Sequence, residues 1–126
     1  MLQIILIGFG GAIGALSRYT LSNLISKSFQ TNFPLGTLGV NLLGCFIIGI
    51  VWQFSEHYSI EKNLRLFFFL GLLGAFTTFS TFGLESLHLF KDGYMKSALL
   101  NIFLNNILGI VLVLLGIYIY KIIFIK

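Results

Sequence analysis

Gly71-Leu72-Leu73-Gly74-Ala75-Phe76-Thr77-Thr78-Phe79-Ser80-Thr81-Phe82 is the stretch on which the reading of this chain turns. It lies inside an apolar run from about Leu64 to Phe90, longer than the roughly 20 residues that a membrane-crossing helix needs. Its centre nevertheless carries two glycines, four hydroxyl side chains and three phenylalanines spaced three apart. Gly weakens a helix by about 1 kcal/mol relative to Ala, and Thr is also a modest helix former. A polar, weakly helical segment at bilayer depth is tolerated only where protein buries it or where it lines a watery cavity. The stretch is therefore predicted to be an interrupted helix and a site. The plainer alternative is that the hydroxyls bond back to their own helix while the rings face lipid or core.

Composition fixes the class. Of the 126 residues, 57% are hydrophobic and only 10% are charged, and the mean hydropathy is +0.98. Soluble domains carry about a quarter charged residues, so the chain reads as one all-α integral membrane domain over residues 1–126. Its net charge of +4 then belongs with loops and lipid headgroups and is not a nucleic-acid footprint. The lone Cys45 excludes an intrachain disulfide and any zinc-ligand spacing.

Three further spans flank the central one. The first runs from Leu2 to about Ser26; with no basic n-region ahead of it, and with its apolar stretch leading into Arg18 instead of a small-residue cleavage site, it reads as a retained helix and not a signal peptide. Gly10 and Gly14 put small residues on one face, which lets helices pack backbone to backbone in lipid. Arg18 either snorkels to the bilayer edge or supplies a fixed positive charge that orders a dimer or draws anions into a vestibule. The second span runs from about Leu35 to Phe54, with Pro34 expected in its first turn. Asn41 is its one strongly polar side chain, either glue between helices or an amide donor for an anion. The fourth span covers about Ser97 to Tyr120; Asn101 and Asn105 share a face at i, i+4, and Asn106 lies off it. Asp92-Gly93 marks the turn before it. His57 and His88 read as interfacial.

Loop charges give little orientation bias. Lys62, Arg65, Lys121 and Lys126 fall on one side, and Lys27, Lys91, Lys96 and an outward Arg18 on the other. A chain of this kind can insert both ways, and two copies can pair antiparallel, as the halves of an inverted repeat do. Four short helices enclose little polar volume, so a second subunit is expected to complete any pathway, and two-fold pairing is the commonest closed arrangement.

No enzyme constellation is present: no nucleophile beside a base, no carboxylate pair, no metal spacing, no phosphate loop. The polar inventory is amides and hydroxyls with aromatic rings and excess positive charge. Phenyl rings have a positive edge, and Phe79 and Phe82 at i, i+3 can present edges to one path. A broken helix also frees carbonyls that can hold a cation such as Na⁺. The balance favours passage of an anion. A proton-coupled multidrug exporter of four helices needs a carboxylate in its first helix, and this first helix has none. A non-transporting membrane scaffold is the remaining alternative.

Over nearly its full length the chain resembles the small fluoride channel family of the CrcB or Fluc type. The resemblance rests on Gly10-Gly11-x-x-Gly14-Ala15-x-x-Arg18-Tyr19 and on Pro34-Leu35-Gly36-Thr37-Leu38-x-x-Asn41-x-x-Gly44. It continues through Gly71-x-x-Gly74-x-x-Thr77-Thr78-Phe79-Ser80-Thr81-Phe82 to Glu85, and the Thr-Thr-Phe-Ser-Thr-Phe string is its most specific part. The resemblance implies a passive, fluoride-selective channel that lowers cytoplasmic fluoride from a multi-pass position in the bacterial plasma (inner) membrane. It implies an antiparallel, dual-topology homodimer with two ion pathways. By position, Phe79 and Phe82 resemble the rings that contact fluoride, Asn41 the lining amide, and Ser80 and Thr81 the hydroxyls near it. Gly74 and Thr77 resemble the residues whose carbonyls hold a structural Na⁺ at the dimer centre, and Arg18 resembles a vestibule arginine. The fourth helix departs from the family pattern: Asn101 and Asn105 stand where a Tyr and a Ser are usual, and both are kept as pore-lining donors. Ala75 replaces a common Gly. For Glu85, gating, lining an exit and plain packing all stand open.

Overall fold

In hydrocarbon every backbone group must find its partner within the chain, so long apolar runs become helices. The computed structural model describes residues 1–125; Lys126, counted above among the charges of one side, lies outside them. Four helical spans are long and apolar enough to cross a membrane: Leu2–Ser28, Leu35–His57, Lys62–Lys91 and Met95–Phe124. Gly93, with φ of 83°, closes the turn expected at Asp92-Gly93. Pro34 sits one position earlier than expected, as the residue capping the second helix, and its carbonyl accepts the Leu38 N–H at 3.0 Å.

The first helix lies along the first half of the third span, and the second helix along the C-terminal part of the fourth. Glycines permit both contacts. A Cβ on Gly10 would stand 2.8 Å from the Phe67 carbonyl oxygen, and one on Gly71 2.9 Å from that of Ile7. Gly14 meets the Leu72 carbonyl in the same way, and Gly49 and Gly116 meet the Val113 and Phe46 carbonyls. The small face expected at Gly10 and Gly14 is thus a helix–helix seam. Forcing bulk into such a seam costs about 1–3 kcal/mol. Gly14→Val is expected to lower the thermal unfolding midpoint in detergent, whereas Gly11→Ala, with nothing within 4 Å of its Cβ, is expected to leave it unchanged.

The third span is interrupted, but its glycines do not interrupt it. Gly74 has helical dihedrals (φ −62°, ψ −36°), and Gly71 spends its missing side chain on the first helix. The break is at Thr77 (φ −92°, ψ 159°) and Thr78 (φ −147°, ψ 121°), both extended. The half before it holds a π-helical stretch, Leu66–Leu73, and the fourth helix another, Leu104–Leu108. Such widened turns recur at functional sites. After the break a new helix runs from Phe79 to Lys91.

Candidate functional site

Two extended residues in mid-span leave backbone groups without helical partners, and Asn41 takes up those of Thr78. Its Oδ1 accepts the Thr78 N–H at 2.8 Å, and its Nδ2 donates to the Thr78 carbonyl at 3.0 Å. One primary amide thereby does what a neighbouring strand would do for an extended residue. Because Thr78's N–H goes to Asn41, the Gly74 carbonyl four residues back loses its usual donor. The break therefore opposes two helix ends: carbonyls of the first half on one side, free N–H groups of the second on the other.

The N-cap of the second half sets the direction of its hydroxyls. Thr78 Oγ1 accepts the Thr81 N–H at 3.3 Å, so its own proton goes to Thr81 Oγ1 at 3.0 Å. That leaves the Thr81 proton free to donate outward. Ser80, with its Oγ 3.5 Å from that of Thr78, stands beside it, and both residues are exposed on the single chain. Loss of an N-cap hydroxyl costs about 1 kcal/mol. Thr78→Ala is expected to lower stability by that amount in a denaturation series.

A chain of amides ties the break to the fourth helix. Asn41 Nδ2 donates its other proton to Asn105 Oδ1 at 2.8 Å. Asn105 Nδ2 donates to both oxygens of Asn101, Oδ1 at 2.9 Å and the carbonyl at 3.0 Å. Asn101 Nδ2 donates to Ser86 Oγ at 2.9 Å, and Ser86 donates to the Phe82 carbonyl at 2.8 Å. Asn101 is 1% exposed and Asn41 9%. Buried amides without partners would be costly; here each finds one.

The two rings that flank this chain have opposite surroundings. Phe82 is 5% exposed, whereas Phe79 is 77% exposed, and they meet edge to face at 5.1 Å and 68°. A cavity of about 240 Å³ opens beside them, walled by Asn41, Gly44, Thr77, Phe79, Asn105 and Asn106 among others. Arg18 does not run outward to the bilayer edge; its Nη1 reaches the Thr77 carbonyl at 3.4 Å. Glu85 accepts from Thr37 Oγ1 at 2.7 Å, while its Oε2 is buried with no partner among the described residues. Glu85 and His88 also line a polar cleft of about 710 Å³ that opens between the first loop and the turn after Lys91.

Residues 5–117 match the family described as CrcB-like protein, Camphor Resistance (CrcB). A Parabacteroides distasonis protein named fluoride-specific ion channel FluC is 44% identical over 121 residues, covering 96% of this chain and 94% of that one. Proteins of the same name from Salinibacter ruber and Dehalococcoides mccartyi are 46% and 48% identical, each over 92% of this chain and 87% and 90% of their own. The chain belongs to the CrcB family.

This CrcB-family chain is a multi-pass membrane protein and not an enzyme. Of the residues singled out from its sequence, Asn41, Asn101 and Asn105 come together in one hydrogen-bonded chain. Phe79, Ser80 and Thr81 lie on the open side of the break, with Arg18 and Thr77 at its edge. Asn106, read as lying off the Asn101–Asn105 face, shares the wall of the same cavity. Sequence reasoning missed Ser86, and it quoted Thr37 in a motif of the second helix without giving it a role. A hydroxyl one helical turn after Phe82, in an otherwise apolar run, was the available signal for Ser86.

Proposed function

We propose that this chain is a fluoride channel that lets F⁻ leave the cytoplasm passively, down its electrochemical gradient. The observation that carries the reading is the open polar break. Gly74, Ser80 and Thr81 are exposed on the single chain in the middle of a membrane span, where lipid cannot satisfy their polar groups. The relatives named fluoride-specific ion channels supply the ion. Stripping water from a small anion is costly unless several donors replace it together. The Ser80 and Thr81 hydroxyls, an Asn41 N–H, the free N–H groups of the Phe79–Lys91 helix and the positive ring edges are that set.

The proposed assembly is an antiparallel homodimer with each copy covering the other's break, embedded in membrane lipid and holding a structural Na⁺ at its centre. Near-equal loop charges on the two sides support dual insertion. The carbonyls of Gly74 and Thr77 suit the cation, being hard oxygen donors at the negative end of a half-helix. Gly74 is exposed, and the only hydrogen bond to the Thr77 carbonyl among the described residues is the long one from Arg18. Both are thus available to a shared ion. The ion would pin the two breaks together by neutralising the facing carbonyl ends.

Proteoliposomes loaded with potassium fluoride test the function. Fluoride efflux to an external electrode is expected only when valinomycin shunts the charge, because a channel moves one net charge per ion. Efflux without the shunt would point to electroneutral transport, with fluoride leaving together with a proton or in exchange for hydroxide, and none at all would favour the scaffold.

A further inference from the structure

The direction of every hydrogen bond in the amide chain is forced from both ends. A carbonyl can only accept, so the Phe82 carbonyl compels Ser86 to donate to it. Ser86 must then be approached by a donor, which turns Asn101 Nδ2 toward it and Asn101 Oδ1 toward Asn105. With the Asn101 carbonyl there too, Asn105 must offer its NH₂, and its Oδ1 is left facing Asn41. From the other end, Thr78 N–H fixes Asn41 Oδ1, so Asn41 meets Asn105 with an N–H. Flipping any one amide would oppose acceptor to acceptor or donor to donor.

The outcome is that both protons of the Asn41 amide are committed in the structure, one to the Thr78 carbonyl and one to Asn105 Oδ1. The first closes the break. The second is the one an anion can take without undoing the backbone. We propose that Asn105 sets how tightly the permeating anion is held: its side-chain oxygen is a built-in competitor for the ion at the Asn41 N–H. The inference rests on the fluoride-channel reading above. An ion must be a better acceptor than an amide carbonyl to displace it. Fluoride, small and charge-dense, is the strongest acceptor among the halides and can take this N–H; the Asn105 Oδ1 that it strands offsets part of the gain, so the ion is held less tightly than a free N–H would hold it. Ser86 and Asn101 are positioning residues here, because they keep the Asn105 oxygen turned inward.

Asn105→Leu removes the competing oxygen at similar volume, and Asn105→Ala does so without added bulk should Leu pack poorly. In fluoride-flux measurements on proteoliposomes, each is expected to lower the half-saturating fluoride concentration about fivefold, the worth of one ordinary hydrogen bond. Chloride permeation relative to fluoride is not expected to rise, because the competing oxygen penalises either halide that takes the N–H. If Asn105 is only glue, the variants lower the unfolding midpoint and leave half-saturation as it was, which overturns the proposal. A raised half-saturating concentration also overturns it, since Asn105 would then be a ligand of the ion. Wild-type vesicles that hold their fluoride would instead refute the channel reading itself.

Discussion

Asn41→Asp is expected to stop fluoride efflux from proteoliposomes and to destabilise the fold at the same time. Asn41 gives one proton to the Thr78 carbonyl and one to Asn105 Oδ1. A carboxylate has neither, so two part-buried acceptors lose their donor and face a third oxygen across about hydrogen-bond distance. A fully buried unsatisfied group costs about 1–3 kcal/mol, so half-buried ones cost toward the lower end, about 2 kcal/mol together before the charge is counted. The retained oxygen still accepts the Thr78 N–H, which leaves part of the clasp in place. The negative charge then stands in the path of an anion. Thermal unfolding and electrode traces on the same preparation separate the two effects. A stable variant that still conducts would contradict the role given to this amide.

Phe79→Ile is expected to show the reverse pattern, with flux lost and stability kept. The ring is 77% exposed on the single chain, so little packing within the chain depends on it. On the proposed reading, its work is to present a positive edge to the ion and to cover the partner's break. Loss of one interaction to a charged species, at about 1.5–3 kcal/mol, corresponds to roughly a 10–100-fold fall in flux. Phe82→Ile is expected to reduce flux as well, but Phe82 is 5% exposed, and its loss also costs core packing. Phe79→Ile running at the wild-type rate would remove the ring from the mechanism.

The four spans were legible because bilayer physics leaves few options for long apolar runs. Much of the site was legible from chemistry in the wrong place: an Asn in the second span, hydroxyls and glycines in the third, two Asn residues one turn apart in the fourth. Where the helix breaks was read less well. Glycine suggested the break, but Gly71 and Gly74 stay helical, because the first helix needs the space at Gly71. The break falls at Thr77 and Thr78, where Asn41, 37 residues from Thr78 in the chain, rewards the extended backbone. Such a reward comes from tertiary partners, which local propensity does not contain. The π-helical stretches have no local signature either. Arg18 could be read as snorkelling or as functional, and the choice depended on whether a carbonyl lay within its reach.

The direction of the amide chain was beyond sequence reasoning for a related reason. Periodicity puts Asn101 and Asn105 on one face, but which end of each amide points inward is set by the Phe82 carbonyl and the Thr78 N–H. Those groups lie in the break and just beyond it, and only the packing of the second and fourth spans against the third brings the amides to them.

The central claim is that two oppositely inserted copies join across their breaks. Asn32, exposed in the first loop, offers the most direct test as Asn32→Cys in a Cys45→Ala background. Sealed vesicles are treated with a membrane-impermeant maleimide, and the intact dimers are then weighed by native mass spectrometry. Antiparallel pairing is expected to give one label on every dimer. A mixture of dimers carrying two labels and dimers carrying none would mean that both copies face the same way, and would contradict the claim.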